Sequence, residues 1–216
     1  MKPAAKKTAR RKAYHHGDLA DQLVAAAEAI ILERGVDGFT LREAARRAGV
    51  SPAAPAHHFK DARGLLSEVA LRGYRDFGDA LEAADRRGGR DPQQRLTEQG
   101  LAYVQFALKN PARFQLMFLH GRCDMGYKDL ATVSHRSFLI LEGAVRAACK
   151  LGAGDALTPE AYGFLMATWS IVHGFAHLAL GGELEHAAGA GGGQSAILNT
   201  FLPLTLKHLP VPRRER

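Results

Sequence analysis

Cysteine and long apolar segments are both scarce in this sequence, and each absence excludes a class of protein. Two cysteines, Cys123 and Cys149, are too few for the disulfide framework of a small secreted domain. The charged N-terminus lacks the apolar segment of a secretory signal. No run of about 18 apolar residues is apparent, so we predict no membrane span. We therefore expect a cytoplasmic protein.

Catalytic and cofactor motifs are missing as well. The sequence has no Gly-x-Ser-x-Gly nucleophile elbow, and the glycine-rich stretch at 187–193 lacks the lysine and the strand of a phosphate-binding loop. We predict no cofactor and no enzymatic activity. A small metal-dependent helical enzyme is the less favoured alternative.

One histidine pair could in principle belong to a metal site. His173 and His177 are four residues apart, which places them on one face of a helix. No glutamate follows the first histidine as in the HExxH motif, and the candidate ligands lie on separate predicted segments. Hydrogen-bonded histidines in a helical interior or interface explain the pair better, so we predict no metal. The remaining candidate ligands would be His120, Cys123 and His135.

The positive charge is distributed unevenly. The net charge is +7, and residues 1–12 hold six Lys or Arg and no acid, whereas residues 13–76 hold eight basic and nine acidic residues. A basic N-terminal arm is a recognised form of nucleic-acid contact, although a solvated tail is the simpler interpretation. The arm residues that we assign to DNA binding are Lys6, Lys7, Arg10, Arg11 and Lys12.

Helical periodicity extends through the chain, which predicts an all-α protein. A composition break at 85–92 suggests a boundary between an N-terminal three-helix domain at 13–76 and a larger C-terminal helical domain at 90–210. Pro203 predicts a kink or an early break in the last helix. The C-terminal helices are predicted at about Gln93–Lys109, Pro111–His120, Tyr127–Lys150, Pro159–Leu180 and Ser195–Leu209.

Residues 40–59 have the pattern of a helix-turn-helix. Thr40 and Glu43 form a capping box, Gly49 supplies the turn, and Ser51 is expected to cap the second helix. Pro55 then lies close enough to the helix start to lose only the first intrahelical hydrogen bond. We predict a distorted or 3₁₀-like first turn, with the Pro55 ring packed against the bundle.

The outward face of the second helix has the composition of an unusual DNA reader. It lacks the Arg, Asn and Gln side chains that usually read bases, but small residues allow close approach to the major groove, and the helix starts can contact phosphates. The predicted DNA-binding residues of the folded domain are Thr40, Arg42, Ser51, Ala53, Ala54, His57, His58 and Lys60.

These motifs resemble the DNA-binding domain of the tetracycline-repressor (TetR) family, over about Tyr14–Tyr74. The segments "WSIVHG" (169–174) and "NPARFQLMF" (110–118) resemble the branch of that family named for its Trp-His-Gly motif. The resemblance implies a homodimeric, usually repressing regulator of a palindromic DNA operator. It also implies dimerisation through the last two long helices, about 159–180 and 195–209, and a small-molecule pocket.

Two departures from the family pattern concern DNA affinity. Ala56 stands where the family usually has an aromatic residue, and Ala62 where it often has a lysine, and both usually contact phosphates. We therefore expect a weaker or arm-dependent binder. An orphan dimer that binds DNA without an effector remains an alternative.

A stripe of apolar and aromatic side chains in the C-terminal half is compatible with plain core or with an effector pocket. The resemblance implies that part of it binds a largely apolar effector. The candidate pocket residues are Phe106, Phe114, Met117, Phe118, Met166, Trp169 and His173.

Overall fold

The computed structural model describes residues 16–119, 121–152, 154–188 and 193–208, and these ranges are helical without any strand. The predicted arm residues Lys6, Lys7, Arg10, Arg11 and Lys12, and the candidate ligand His120, lie outside the described residues. The helices are α1 (His16–Arg34), α2 (Leu41–Arg47), α3 (Ala54–Phe59), α4 (Ala62–Arg87), α5 (Pro92–Lys109), α6 (Pro111–Met117), α7 (Leu130–Ala148), α8 (Pro159–Leu180), α9 (Glu183–Ala188), α10 (Gln194–Ala196) and α11 (Leu202–Lys207).

Local signals set the helix boundaries of the N-terminal bundle. Gly35 ends α1 with φ of +71°, a left-handed conformation that favours glycine. The Thr40 hydroxyl then accepts a hydrogen bond from the Glu43 N–H at 3.2 Å, which is the predicted N-cap of α2. The Asp61 carboxylate caps α4 in the same way, accepting from the Gly64 N–H at 2.8 Å.

Helix α4 connects the two halves of the protein. Its first part, including Leu65 and Leu71, is buried in the N-terminal core with α1, and its second part, including Phe77 and Leu81, is buried in the C-terminal core with α5 and α8. The helix does not break between these positions. Movement of the C-terminal helices can therefore reach the N-terminal bundle through one rigid element.

The last helical segment is irregular around Pro203. A π-helical turn, Ile197–Phe201, separates α10 from α11, and the Leu202 N–H bonds to the Ile197 carbonyl. Pro203 is the second residue of α11 and follows directly on the π-helical turn, so its missing N–H falls in the irregular part of the segment, as the predicted kink requires. Two other predicted boundaries were too generous, since α6 ends at Met117 and α7 covers only Leu130–Ala148. The short α9 was not predicted, and its last two residues overlap the glycine-rich stretch at 187–193.

Helix α8 is more apolar than the sequence analysis indicated. Residues 161–180 contain no Asp, Glu, Lys or Arg, and in the described ranges α8 alone is long and apolar enough to cross a membrane. A single such helix is weak support for a span, because core helices of globular proteins pass the same test. One side of α8 packs into the C-terminal core through Phe164, Leu165 and Val172. An apolar stretch of this length was therefore overlooked in the sequence analysis, whereas the prediction of no membrane span stays a prediction.

Candidate functional site

The turn between α2 and α3 is fixed by two backbone hydrogen bonds. The Val50 N–H bonds to the Ala45 carbonyl at 3.0 Å, and the Gly49 N–H to the Arg46 carbonyl at 3.2 Å. This pair of bonds is the Schellman motif, and it places Gly49 at φ of +69°. The fully buried Ala45 allows close approach of the two helices. The local structure is therefore the predicted helix-turn-helix.

Helix α3 begins two residues later than the sequence suggested. Ser51 and Pro52 form a turn in which the Ala54 N–H bonds to the Ser51 carbonyl at 3.0 Å, and the first helical residue is Ala54 rather than Pro52. The turn is 3₁₀-like, as predicted, because these bonds join residues three apart. Pro55 is buried in the first helical turn, where it sacrifices no helical hydrogen bond. The proline is thus a core residue at the start of the candidate recognition helix.

The residues predicted to contact DNA lie on the side of α2 and α3 that faces away from the bundle. Ala54 and His58 are half-buried. The exposed members of the set are Thr40, Arg42, Ser51, Ala53, His57 and Lys60. The small side chains leave the backbone of α3 accessible, so a groove wall could approach it closely.

The cations near this face fall into two groups. The side chains of Arg42 and Lys60 have no hydrogen-bond or ion-pair partner among the described residues. In contrast, Arg46 binds Glu43 through two hydrogen bonds of 2.7 Å, and Arg47 donates to Glu43 as well. Arg42 and Lys60 therefore have side chains that no neighbouring described residue neutralises, and their role as phosphate contacts stays a prediction.

The backbone at the junction of α3 and α4 is tightly constrained. Lys60 adopts φ of +68° and ψ of −58°, and the Asp61 N–H bonds to the Phe59 carbonyl at 2.8 Å, which together form a γ-turn. Gly64 lies so close to this turn that an added Cβ would be 1.9 Å from the Phe59 carbonyl oxygen. A rotation of α4 must therefore move α3 with it.

A cavity of about 430 Å³ lies in the C-terminal domain, between α4, α5, α7 and α8. Its volume is in the range of small-molecule sites in proteins. The described residues that form its wall include no Asp, Glu, Lys or Arg. Six aromatic side chains contribute to the wall, namely Tyr74, Phe77, Tyr103, Phe118, Phe138 and Trp169.

The cavity contains only part of the predicted pocket set. Met117, Phe118 and Trp169 form part of its wall, whereas Phe106, Phe114, Met166 and His173 lie outside its lining. Phe106 and Phe114 are buried in the C-terminal core, at 6% and 0% exposure. Sequence reasoning missed Tyr74, Gln99, Tyr103 and Ser137, whose polar atoms made them poor candidates for an apolar stripe.

His173 does not line the cavity, but it contacts Tyr103, a residue of the cavity wall. Its Nδ1 lies 2.7 Å from the Tyr103 hydroxyl oxygen, and its ring centroid is 4.6 Å from that of His177. Burial and the neighbouring His177 lower the pKa of His173, so the neutral ring is favoured. Within the described residues no group of three or more potential ligands could hold a metal.

The loop between α6 and α7 (118–129) connects the cavity to the DNA-binding domain. Its residues Gly121, Cys123 and Met125 line the cavity. The Asp124 N–H donates to the Ser67 hydroxyl of α4 at 2.8 Å. Further contacts to the N-terminal domain are those of Cys123 with Arg63 and Leu66, Tyr127 and Lys128 with Glu68, and Arg122 with Asp37. A ligand that displaced this loop would disturb α4 directly.

Two family models match the sequence. Residues 23–69 match the model described as bacterial regulatory proteins, tetR family. Residues 96–195, which include most of the cavity wall, match the model described as a tetracyclin repressor-like C-terminal domain. The more specific resemblance to the Trp-His-Gly branch stays a prediction. No curated protein matches significantly.

Solved structures share the fold over 73% to 92% of the chain. A protein of unknown function from Rhodococcus sp. RHA1 is 32% identical, with a TM-score of 0.69 and coverage of 92% of this chain and 99% of that chain. A tetR-family bacterial regulatory protein from Rhodococcus RHA1 is 19% identical, with a TM-score of 0.66 and coverage of 90% and 98%. PfmR, a TetR family transcriptional regulator from Thermus thermophilus, is also 19% identical, with a TM-score of 0.61 and coverage of 73% and 84%.

Proposed function

Because this chain belongs to the TetR family of bacterial transcriptional regulators, we propose that it is a homodimeric repressor released from its DNA operator by a small, largely apolar effector. Membership of the family makes the chain a DNA-binding regulator and not an enzyme. The observation that carries the finer proposal is the connection of two sites through α4. An open helix-turn-helix face lies at one end of this helix, and an uncharged cavity lies beside the other.

The apolar surface of the last helices supports a dimer. Only 28% of the most apolar 18-residue stretch of α8 is buried by the rest of the chain. On α8, Tyr162 and Leu178 are 51% and 47% exposed, and near the C-terminus Phe201 and Leu204 are 41% and 51% exposed. Exposed apolar side chains at this density are typical of surfaces that pack against another subunit. A second copy of the chain, with α8 and the 194–207 segment in a four-helix arrangement, is the occupant that we propose.

A dimer would read a palindromic operator. Two α3 helices about 34–36 Å apart can enter successive major grooves, with Arg42 and Lys60 on the flanking phosphates. The basic arm, Lys6 to Lys12, would contribute much of the affinity by contacting the adjacent minor groove, since the folded domain at 13–76 has nearly balanced charge. A regulator that binds a bacterial operator would act in the cytoplasm, where the DNA is.

The effector would act by differential binding. An effector that fits the cavity better when α4 is tilted away from the DNA-competent position shifts the population towards that state, and only by the difference in its two affinities. The presence of a cavity of ligand size favours this regulator over an orphan dimer without effector.

The deciding experiment is fluorescence anisotropy of the purified protein on the DNA upstream of its own gene, against scrambled DNA, across a salt series. Selective binding of two chains per site supports the proposal. A variant that lacks residues 1–12 should bind more weakly and with a shallower dependence on salt. Equal binding to both DNAs, abolished by modest salt, would contradict a specific operator at that site.

A further inference from the structure

The buried and half-buried polar side chains of the described cavity wall already have hydrogen-bond partners, with one exception, whereas His135 of the wall is exposed. The Tyr74 hydroxyl donates to the Met117 carbonyl at 2.7 Å, and the Thr168 hydroxyl donates to the Phe164 carbonyl at 2.8 Å. The Gln99 amide donates to Asp85 at 2.6 Å. The other wall side chains that have a hydrogen-bond partner are Tyr103, Ser134 and Cys123, which pair with His173, Ala131 and Leu66 respectively.

Ser137 is the exception. Its side chain is 7% exposed, it lines the cavity, and in the described part of the chain its Oγ is the single buried side-chain nitrogen or oxygen with no hydrogen-bond partner. Native proteins rarely leave a buried polar atom unpaired. The hydroxyl can donate one hydrogen bond and accept others, so a partner inside the cavity would satisfy it.

Gly78 of α4 packs beside Ser137 outside the cavity wall. An added Cβ at Gly78 would lie 3.7 Å from the Ser137 Oγ and 3.4 Å from the nearest guanidinium nitrogen of Arg136, so neither group fills the place of that side chain. The described wall includes no Lys or Arg, so an ionised carboxylate would lose its hydration without gaining a counter-charge from either, and its one imidazole, His135, is exposed. The six aromatic rings favour an aromatic or other planar apolar body.

We infer that the cavity binds an uncharged, mainly aromatic molecule whose single oxygen, a hydroxyl or carbonyl, hydrogen-bonds to the Ser137 Oγ. This inference rests on the proposed function, because it names the chemical class of its effector. It assigns Ser137 the role of selecting an oxygenated ligand over the hydrocarbon of the same shape. The aromatic side chains of the wall contribute the part of the affinity that the oxygenated ligand and the hydrocarbon share.

The test compares 2-naphthol, naphthalene and 2-naphthoate by calorimetry at pH 7, in the wild type and in Ser137→Ala. The emission of Trp169, the single tryptophan of the chain and part of the wall, reports whether each probe enters this cavity. We expect S137A to weaken 2-naphthol about three- to tenfold, the worth of one neutral hydrogen bond, and to leave naphthalene within about twofold. We expect 2-naphthoate to bind at least about tenfold more weakly than 2-naphthol.

The matched control is Ser134→Ala, which removes a hydroxyl that already donates to the Ala131 carbonyl. This variant should leave the ratio of the two affinities unchanged. The thermal midpoint of S137A should equal or exceed that of the wild type, because the substitution removes a buried unpaired polar atom. The inference would be overturned if S137A weakened 2-naphthol and naphthalene equally, or weakened neither. It would also be overturned if 2-naphthoate bound most tightly, or if none of the three probes changed the emission of Trp169.

Operator binding, measured separately by anisotropy, distinguishes this inference from the proposed function. Release of the operator by 2-naphthol without any effect of S137A would support the proposed function and overturn the role of Ser137. Discrimination by Ser137 without any change in operator affinity would support the binding site and contradict effector release by this class of molecule.

Discussion

The Arg63 guanidinium donates a hydrogen bond to the Cys123 carbonyl oxygen at 3.0 Å. Arg63 lies in the first turn of α4, next to the recognition helix, and Cys123 belongs to the wall of the cavity. One hydrogen bond therefore joins the DNA-binding end of the protein to its candidate effector site. The 118–129 loop provides this second route, in addition to the length of α4 itself.

The loop contact at Ser67 should be both structural and regulatory. In Ser67→Ala the Asp124 N–H loses its partner, so we expect the free energy of unfolding to fall by about 1–3 kcal/mol. We expect an effector that weakens operator binding to bind Ser67→Ala with an affinity within about twofold of that for the wild type. The coupling free energy between the effector and the operator should fall by about 0.5–2 kcal/mol in this variant. Urea unfolding and anisotropy with and without effector measure these quantities. Unchanged coupling would contradict a role for the loop.

Gly64 should tolerate no side chain. An added Cβ would meet the Phe59 carbonyl at 1.9 Å, so Gly64→Ala must separate α3 from α4 and should cost roughly 2–4 kcal/mol in unfolding free energy, together with operator affinity. The control is Gly143→Ala in α7, whose Cβ would have only Arg95 at 3.8 Å. That variant should be neutral or more stable by up to about 1 kcal/mol, because alanine favours the helix. Equal stability of the two variants would argue against the tight junction.

Lysine at position 62 should strengthen DNA binding. Ala62 is the first residue of α4 and stands where the resemblance implies a phosphate-binding lysine. Ala62→Lys should raise operator affinity and steepen the slope of log K against log salt by about 0.9, the value for one extra phosphate contact. The control, Ala156→Lys, adds the same charge at an exposed position between α7 and α8. If both variants changed the salt slope equally, the effect would be one of net charge alone.

The proposed dimer predicts a specific monomer variant. Leu204 is 51% exposed on α11, and Leu204→Glu would bury a carboxylate in the interface. We expect this variant to sediment as a monomer and to lose cooperative operator binding. Leu32→Glu, at a leucine of α1 that is 62% exposed, should remain dimeric. Analytical ultracentrifugation separates the outcomes, and a wild type that is itself monomeric would refute the dimer.

Glu43 should make stability depend on acid pH. Hydrogen bonds from Arg46 and then Arg47 lower the pKa of Glu43 to about 2 from its usual 4.5. A lowered pKa in the folded state stabilises the fold above about pH 4.5, and this contribution is lost as the pH falls towards 2. Glu43→Gln should therefore melt below the wild type at pH 7, with a gap that narrows by pH 3. Glu185→Gln, at an exposed carboxylate without an ion pair among the described residues, should match the wild type throughout.

The helix-turn-helix could be predicted from the sequence because its signals are local. Thr40 caps α2, Gly49 takes positive φ, and Pro55 is buried near a helix start, each as its residue type demands. The start of α3 was misplaced because Ser51 followed by Pro52 is also a valid cap. The turn instead uses the Ser51 carbonyl, and no sequence pattern distinguishes the carbonyl from the hydroxyl.

The cavity could be predicted only in part, because periodicity identifies the buried face of a helix but not which buried residues border a void. Phe114 and Phe118 belong to one aromatic stripe, yet Phe114 is fully buried in the core and Phe118 faces the cavity. Ser137 gave no signal at all. A serine on a helix usually satisfies its hydroxyl locally, and only the three-dimensional arrangement reveals that this one does not.

The continuity of α4 has a consequence for protein engineering. A chimera that fused the DNA-binding half of this chain to the sensing half of a relative at residue 76 would cut a helix in the middle of both cores. It would also replace the 118–129 loop while keeping Ser67 and Glu68, its partners on α4. A working hybrid sensor must therefore exchange the N-terminal half of α4 and that loop together, as one matched pair.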